Sequence, residues 1–191
     1  CSFSVLPASL RLPTSTLIAS VDDSALIRQM DRAKVEQMNI DKTSATHVRG
    51  ATADEILTFP EYVARMEHRP ALVLLDENLD DPVHRTPLTK GTQLIPRLRE
   101  LGYSGKIVIK SANLKPDDSA SYEACGADGM IGKGLDSIQT NRQLAAILFG
   151  AHVASETVLD TKSLIELSMD DRIELASCFI SEASLLDTKL R

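Results

Sequence analysis

Apolar residues along this chain fall into short unbroken runs separated by stretches with helical spacing. Thr16–Val21, Thr46–Arg49, Ala71–Leu75, Lys106–Ile109 and Gly129–Ile131 read as five strands. The third is the most apolar, and the second is placed mainly by its position between helices. Runs that are apolar at every position, rather than at alternate ones, suit a parallel sheet covered on both faces. Between the runs, Ser24 to Met38 reads as a helix with Leu26, Met30 and Ala33 on its packing stripe. Thr52–Met66 has helical spacing but holds Pro60, which predicts either a break there or a second helix with Pro60 in its first turn. Leu94, Ile95, Leu98 and Leu101 define the next helix, closed by Gly102. Asp117–Cys125 and Ser137–Phe149 are the last two, with Leu144, Ala145 and Leu148 on the packing face of the latter. Five strands alternating with five helices predict an α/β doubly wound domain over residues 16–150.

Sheets of this kind bind ligands beyond the C-terminal ends of their strands. The residues found there are Val21-Asp22-Asp23-Ser24, Leu75-Asp76-Glu77-Asn78, Lys110-Ser111-Ala112-Asn113 and Gly132-Lys133-Gly134. Carboxylates, a hydroxyl and an ammonium would therefore converge on one edge of the sheet. Clustered carboxylates repel one another unless a cation neutralises them. An all-oxygen set of hard ligands favours Mg²⁺, which keeps several waters and bridges readily to a phosphoryl group. A lysine and a hydroxyl nearby suit the remaining phosphoryl oxygens. Phosphoryl transfer asks mainly for positioning and charge stabilisation, which such a set supplies. Asp76 follows the most apolar strand and is the candidate nucleophile. Taken singly, each residue has a plainer reading: Asp22 or Asp23 as a helix cap, Ser111 as another, Lys133 as a surface residue. Their joint occurrence, in order, points to an acidic metal pocket.

Composition narrows the function classes. The 191 residues carry a net charge of −6 without a basic block, which argues against a nucleic-acid surface. Three Tyr, four Phe and no Trp are too few for a base-stacking platform. A 43% hydrophobic content can fill a core. No apolar run approaches the length of a membrane span. Cys1, Cys125 and Cys178 have neither metal-binding spacing nor the pattern of a disulfide framework, so reduced thiols in the cytoplasm are expected. His47, His68, His84 and His152 are scattered and are given no catalytic role.

In order, Val21-Asp22-Asp23-Ser24 with Arg28 in the next helix, Leu74-Leu75-Asp76, Ser111-Ala112, Gly126-Ala127-Asp128 and Lys133 resemble the receiver (response-regulator) domain of two-component signalling. The resemblance covers residues 16–150. It implies a flavodoxin-like five-stranded parallel sheet of order 2-1-3-4-5. It implies that Asp76 is the phosphoacceptor, taking a phosphoryl group from a phosphohistidine. Asp23 and Asp76 would ligate Mg²⁺ directly, Asp22 through water, and Asn78 by its main-chain carbonyl. Ser111 would hydrogen-bond the aspartyl phosphate and Lys133 would pair with it. Asn78 and Asn113 occupy places where the family tunes phosphoryl lifetime. The implied partner is a histidine kinase or a histidine phosphotransfer protein, and the implied parent a hybrid histidine kinase or other phosphorelay protein.

The sequence departs from the family at three places. Gly134 follows Lys133 where proline is usual. Met130 stands where an aromatic switch residue is common. The segment 77–90 is long and contains Leu79-Asp80-Asp81-Pro82, His84-Arg85 and Pro87. It reads either as a lid or partner-docking loop or as a solvated insertion. These departures keep a second reading open, a receiver-like interaction scaffold that is never phosphorylated. A third is a small aspartate-nucleophile phosphohydrolase. The haloacid dehalogenases are the natural comparison, but their D-x-D is missing, because Asp76 is followed by Glu77-Asn78. Self-phosphorylation of a receiver is not enzymatic turnover.

The ends read as attachments. Residues 1–15 are a lead-in, of which Ser2–Pro7 resembles the last strand of a histidine-kinase ATPase domain. Residues 151–160 are a linker. Residues 161–191 are a helical tail, with Ile173, Ala176, Ile180, Ala183, Leu186 and Leu190 on one stripe. Leu159-Asp160, Leu164 and Phe179-Ile180 resemble the start of a histidine phosphotransfer domain, although no histidine follows His152 to accept phosphate. The stripe needs a cover, which could be the receiver, a second copy in a homodimer, or further chain. With Cys1 rather than Met at its start, the chain is expected to be an internal segment of a larger signalling protein. No DNA-binding output module and no membrane contact are expected of it.

Overall fold

The computed structural model describes residues 11–112 and 116–150, without the side chains of 116 and 117. The expected lead-in strand, Asn113, the linker and the helical tail lie outside the described residues.

In chain order the elements are β1 (Ile18–Val21), α1 (Ala25–Gln37), a 3₁₀ turn (Lys42–His47), β2 (Val48–Arg49), α2 (Ala53–Leu57) and α3 (Phe59–Arg65). Then come β3 (Leu72–Asp76), β4 (Asn78–Asp80), β5 (Pro87–Lys90), α4 (Gly91–Glu100), β6 (Lys106–Ser111), α5 (Pro116–Ala124), β7 (Gly129–Gly132) and α6 (Ser137–Phe149). Five strands form one parallel sheet ordered β2-β1-β3-β6-β7, and β4 and β5 form a separate antiparallel pair. Leaving that pair out, the order is the expected 2-1-3-4-5.

Side chains alternate across a strand, so each apolar run feeds two cores. Ala19, Val21, Val73, Leu75, Ile107 and Ile109 pack with Ile56, Phe59 and Val63 of α2 and α3 and with Leu94, Ile95 and Leu98 of α4. Ile18, Leu72, Leu74, Val108 and Ile131 pack on the opposite face with Val35 of α1 and Leu144 and Ala145 of α6. Burial on both faces is why these strands are apolar at successive positions. The register aligns Val21 with Leu75, Leu75 with Ile109, and Asp76 with Lys110. Ser111 aligns with Gly132. Four strands therefore finish nearly level, and the residues after them share one edge.

Several local expectations need correction. The second strand is only Val48–Arg49, because Lys42–His47 winds as a 3₁₀ turn capped by Asp41. At Pro60 the second of the two expected alternatives holds: the break falls at Thr58, and Pro60 sits in the first turn of α3. The packing stripe of α1 is a different one. Leu26 and Met30 are 65% and 40% exposed, whereas Arg28 and Val35 are buried. The inner face of this helix carries Arg28 and Asp31, whose charges break the apolar period.

The segment 77–90 is also more than a loop. Glu77 N–H donates to the Lys110 carbonyl, and Gly91 N–H to the Glu77 carbonyl, closing the base of a β-hairpin. Thr92 N–H and Oγ1 both donate to the Glu77 carboxylate, each at 3.3 Å. Leu79, 1% exposed, anchors the hairpin in the α2–α4 core. At the tip, Asp81 Oδ1 accepts from Val83 N–H (2.8 Å) and His84 N–H (2.9 Å), while Arg85 takes a positive φ of 57°. Val83 projects there, 75% exposed. Leu79→Ala should therefore cost about 3 kcal/mol, the usual loss for a buried leucine. Val83→Ser should stay within about 0.5 kcal/mol of the wild type. Urea denaturation compares the two, and equal effects would mean that the hairpin is not anchored through Leu79.

Candidate functional site

The edge where the strands end is built from the backbone outward. After β1 the chain turns through Asp22-Asp23-Ser24, with Asp22 Oδ1 accepting the Ser24 N–H at 3.0 Å. Buried Arg28 reaches back from α1 and its Nη1 donates to three carbonyls, those of Asp22 (2.8 Å), Asp23 (2.7 Å) and Gly50 (2.9 Å). Gly50 has φ +112°, and a Cβ there would lie 2.3 Å from the Asp22 carbonyl oxygen. A Cβ on Gly91 would meet the Asp76 carbonyl oxygen at the same distance. Both turns that hold the acidic residues thus rest directly on glycine backbone.

Asp22, Asp23 and Asp76 converge, with one carboxylate oxygen from each lying within 4.8 Å of the others. Asp22 is fully buried, Asp76 is 3% exposed and Asp23 is half-buried. Lys133, just past β7, places Nζ 2.7 Å from Asp76 Oδ2 and 3.2 Å from Asp22 Oδ2. Its N–H donates to the Ser111 carbonyl at 3.0 Å. Ser111 is buried at the end of β6, and its side chain hydrogen-bonds Tyr122 of α5. Asn78 opens β4 with its residue exposed, and its N–H faces Asp76 Oδ1 at 3.4 Å. The fold brings Asp22, Asp23, Asp76 and Lys133 together, with Ser111 and Asn78 on the adjoining strand ends.

Two residues at this edge are given no role by the sequence. Tyr122 carries no strand-end signal, yet it reaches Ser111 from a helix, while Met130 is half-buried on β7. Lys110 reads as an ordinary polar strand end but is 2% exposed. It ion-pairs with Asp31 of α1, and its Nζ lies 3.3 Å from Asp22 Oδ2. The only available signal was Asp31, one charge on a helix face otherwise suited to packing.

Burial raises the Asp76 carboxyl to about 6, and the nearby Asp22 charge adds to this, with Lys133 opposing. Burial, followed by Asp22, also raises Asp23. Burial depresses Lys110, but Asp31 and Asp22 outweigh it and hold the ammonium above the ordinary lysine range. Although Lys110 and Lys133 both lie within 3.3 Å of it, Asp22 Oδ2 has no aligned hydrogen-bond donor and is buried. Converging hard oxygens, two carboxyls raised by burial and then by the Asp22 charge, and a buried oxygen lacking a hydrogen bond fit a small divalent cation such as Mg²⁺.

No protein-family model and no curated relative matches this chain. Solved structures do share its fold. The chemotaxis response regulator CheY4 of Vibrio cholerae is 20% identical, with a TM-score of 0.52 over 70% of this chain and 99% of that one. The BeF3-activated N-terminal receiver domain of RstA from Klebsiella pneumoniae is 23% identical, with a TM-score of 0.53 over 70% and 98%. A CheY-like receiver domain protein from Methanospirillum hungatei is 22% identical, with a TM-score of 0.52 over 72% and 96%. The fold is that of receiver domains. Among the described residues, no helix is long and apolar enough to cross a membrane.

The raised Asp76 carboxyl fixes the sign of a pH effect. Its folded value of about 6 exceeds the ordinary aspartate value of 3.8, so the folded state holds more protons between them. Stability of metal-free protein should fall as pH rises through that window, by up to about 3 kcal/mol from this group. Asp76→Asn should flatten the slope. Urea midpoints between pH 4 and 7 in chelator measure it, and an unchanged slope in Asp76→Asn would sink the assignment.

Proposed function

We propose that this chain is a phosphoacceptor receiver module that takes a phosphoryl group from a phosphohistidine onto Asp76 and relays the signal by conformational change. The observation that carries the reading is a buried Asp76 carboxylate with Lys133 Nζ at 2.7 Å and the Asp22 and Asp23 oxygens beside it. The receiver fold supports it, since that fold sets these residues on one sheet edge.

In the reaction, Asp76 Oδ1 attacks the phosphorus of an N-phosphohistidine in line with the leaving nitrogen. The P–N bond breaks as the P–O bond forms. The departing imidazole nitrogen keeps the electron pair and takes a proton from solvent water, so that the histidine leaves as neutral imidazole. Lys133 stays with the phosphoryl oxygens, offsetting the charge that grows on them. Ser111 exchanges its Tyr122 bond for one to a phosphoryl oxygen, which makes its hydroxyl the link between acceptor and α5. Asp22, Asp23, Asp76 and the Asn78 carbonyl would hold Mg²⁺. The ion would supply positive charge between the carboxylates and the incoming phosphoryl oxygens. The partner class is a histidine kinase or histidine phosphotransfer protein.

Acetyl phosphate with Mg²⁺ should add one phosphoryl group per chain, read by intact-protein mass spectrometry. Asp76→Asn should take up none while keeping its circular dichroism spectrum. Lys133→Ala should label about a hundredfold more slowly, the usual loss on removing one charge-stabilising donor. A folded wild type that remains unlabelled would favour the interaction-scaffold reading instead.

A further inference from the structure

We infer that Lys110 is a tethered countercation that competes with a divalent ion for Asp22, and that Asp31 on α1 sets how strongly it competes. This rests on the reading that the acidic pocket holds such an ion.

Lys110 occupies a position that packing alone would give to an apolar side chain. It aligns with Asp76 across β3 and β6, and it faces the core shared with Leu74, Val35 and Ile131. Burying an ammonium there costs several kcal/mol unless partners compensate, and an apolar residue of similar volume would serve the sheet as well. The compensation comes from Asp31, whose side chain is 12% exposed, and from fully buried Asp22. Asp31 belongs to α1 and Asp22 to the pocket, so one ammonium is divided between the helix and the site.

The same division is visible from Asp22. Its Oδ2 has Lys110 Nζ at 3.3 Å and Lys133 Nζ at 3.2 Å, yet neither makes an aligned hydrogen bond to it. The oxygen is neutralised but not bound, and so it stays available to an incoming ligand. Lys133 is already taken up by Asp76 at 2.7 Å. Both ammoniums oppose a second cation at Asp22, and Lys110 is the one shared with a residue outside the pocket, Asp31 of α1, which draws it away. Removing Asp31 leaves Lys110 wholly on Asp22. Removing Lys110 leaves Asp22 with one ammonium instead of two. The two changes should shift metal affinity in opposite directions, an outcome that general destabilisation does not produce.

The test is a Mn²⁺ titration of the chain, with the free ion counted by electron paramagnetic resonance. Lys110→Met should bind Mn²⁺ about tenfold more tightly than the wild type, and Asp31→Asn about threefold more weakly, as expected for one unit charge near the site at a partly screened distance. Because Lys110→Met strands Asp31, the double variant Lys110→Met/Asp31→Leu keeps the region apolar and should also bind more tightly than the wild type. Binding by Lys110→Met but not by the wild type would support the competition while removing metal-dependent phosphorylation of the wild type. Equal affinity in the wild type and both Lys110 variants would overturn the competition and leave the acceptor reading intact. Absence of Mn²⁺ binding in every folded variant would overturn both.

Discussion

Electrostatic repulsion at the end of the sheet is the constraint to which much of the structure answers. Parallel strands in register finish level, and here that brings Asp22, Asp23 and Asp76 within a few ångströms of one another. Such a cluster folds only if charge is brought to it or protons are kept on it. Arg28 spends three hydrogen bonds on the carbonyls that shape the acidic turn. Lys133 and Lys110 bring charge to the carboxylates themselves. The Asp76 carboxyl still sits above its ordinary range, chiefly because it is buried and then because of the Asp22 charge. On the proposed reading, a divalent cation held by these carboxylates would relieve the same repulsion.

The β4–β5 hairpin shows how an insertion can sit beside such a site without disturbing it. Glu77 and Gly91 lie at its two ends and are hydrogen-bonded to each other through the main chain. Glu77 turns its carboxylate away from the pocket and onto the start of α4, keeping a further negative charge out of the cluster. Leu79 ties the hairpin to the core, so it projects as a folded element with Val83 and His84 at its exposed tip. The acidic edge is thus bordered by the exposed tip of a folded hairpin.

The inner face of α1 links charge to architecture. A helix that packed through apolar residues alone would be indifferent to the state of the pocket. This one places Arg28 against the acidic turn and Asp31 against Lys110, so its packing and the charge of the site are coupled. The exposed Leu26 and Met30 lie on its other side.

Much of this was legible in the residues themselves. The parallel sheet and the candidate acidic edge follow from unbroken apolar runs ending in Asp22, Asp23, Asp76, Ser111 and Lys133, because a strand buried on both faces leaves a strong local pattern, while the strand order came from the resemblance to receiver domains. Local pattern offered a helical first turn as one of two places for Pro60, and it offered Asp22 or Asp23 as the cap of α1, a place that Ser24 takes. Lys110, Asp31 and Tyr122 were not legible. A lysine at a strand end looks solvated until the opposite helix is seen to carry its partner, and Leu26 and Met30 look like a packing stripe until that partner turns the helix. The hairpin was hidden because its anchor, Leu79, stands alone among polar residues. Residue patterning marks the two-sided strands and the chemistry gathered at their ends. Which charges face each other, and so which face of α1 is buried, is settled by packing, because ion pairing depends on distances between segments far apart in the chain, and those distances exist only once both cores have packed.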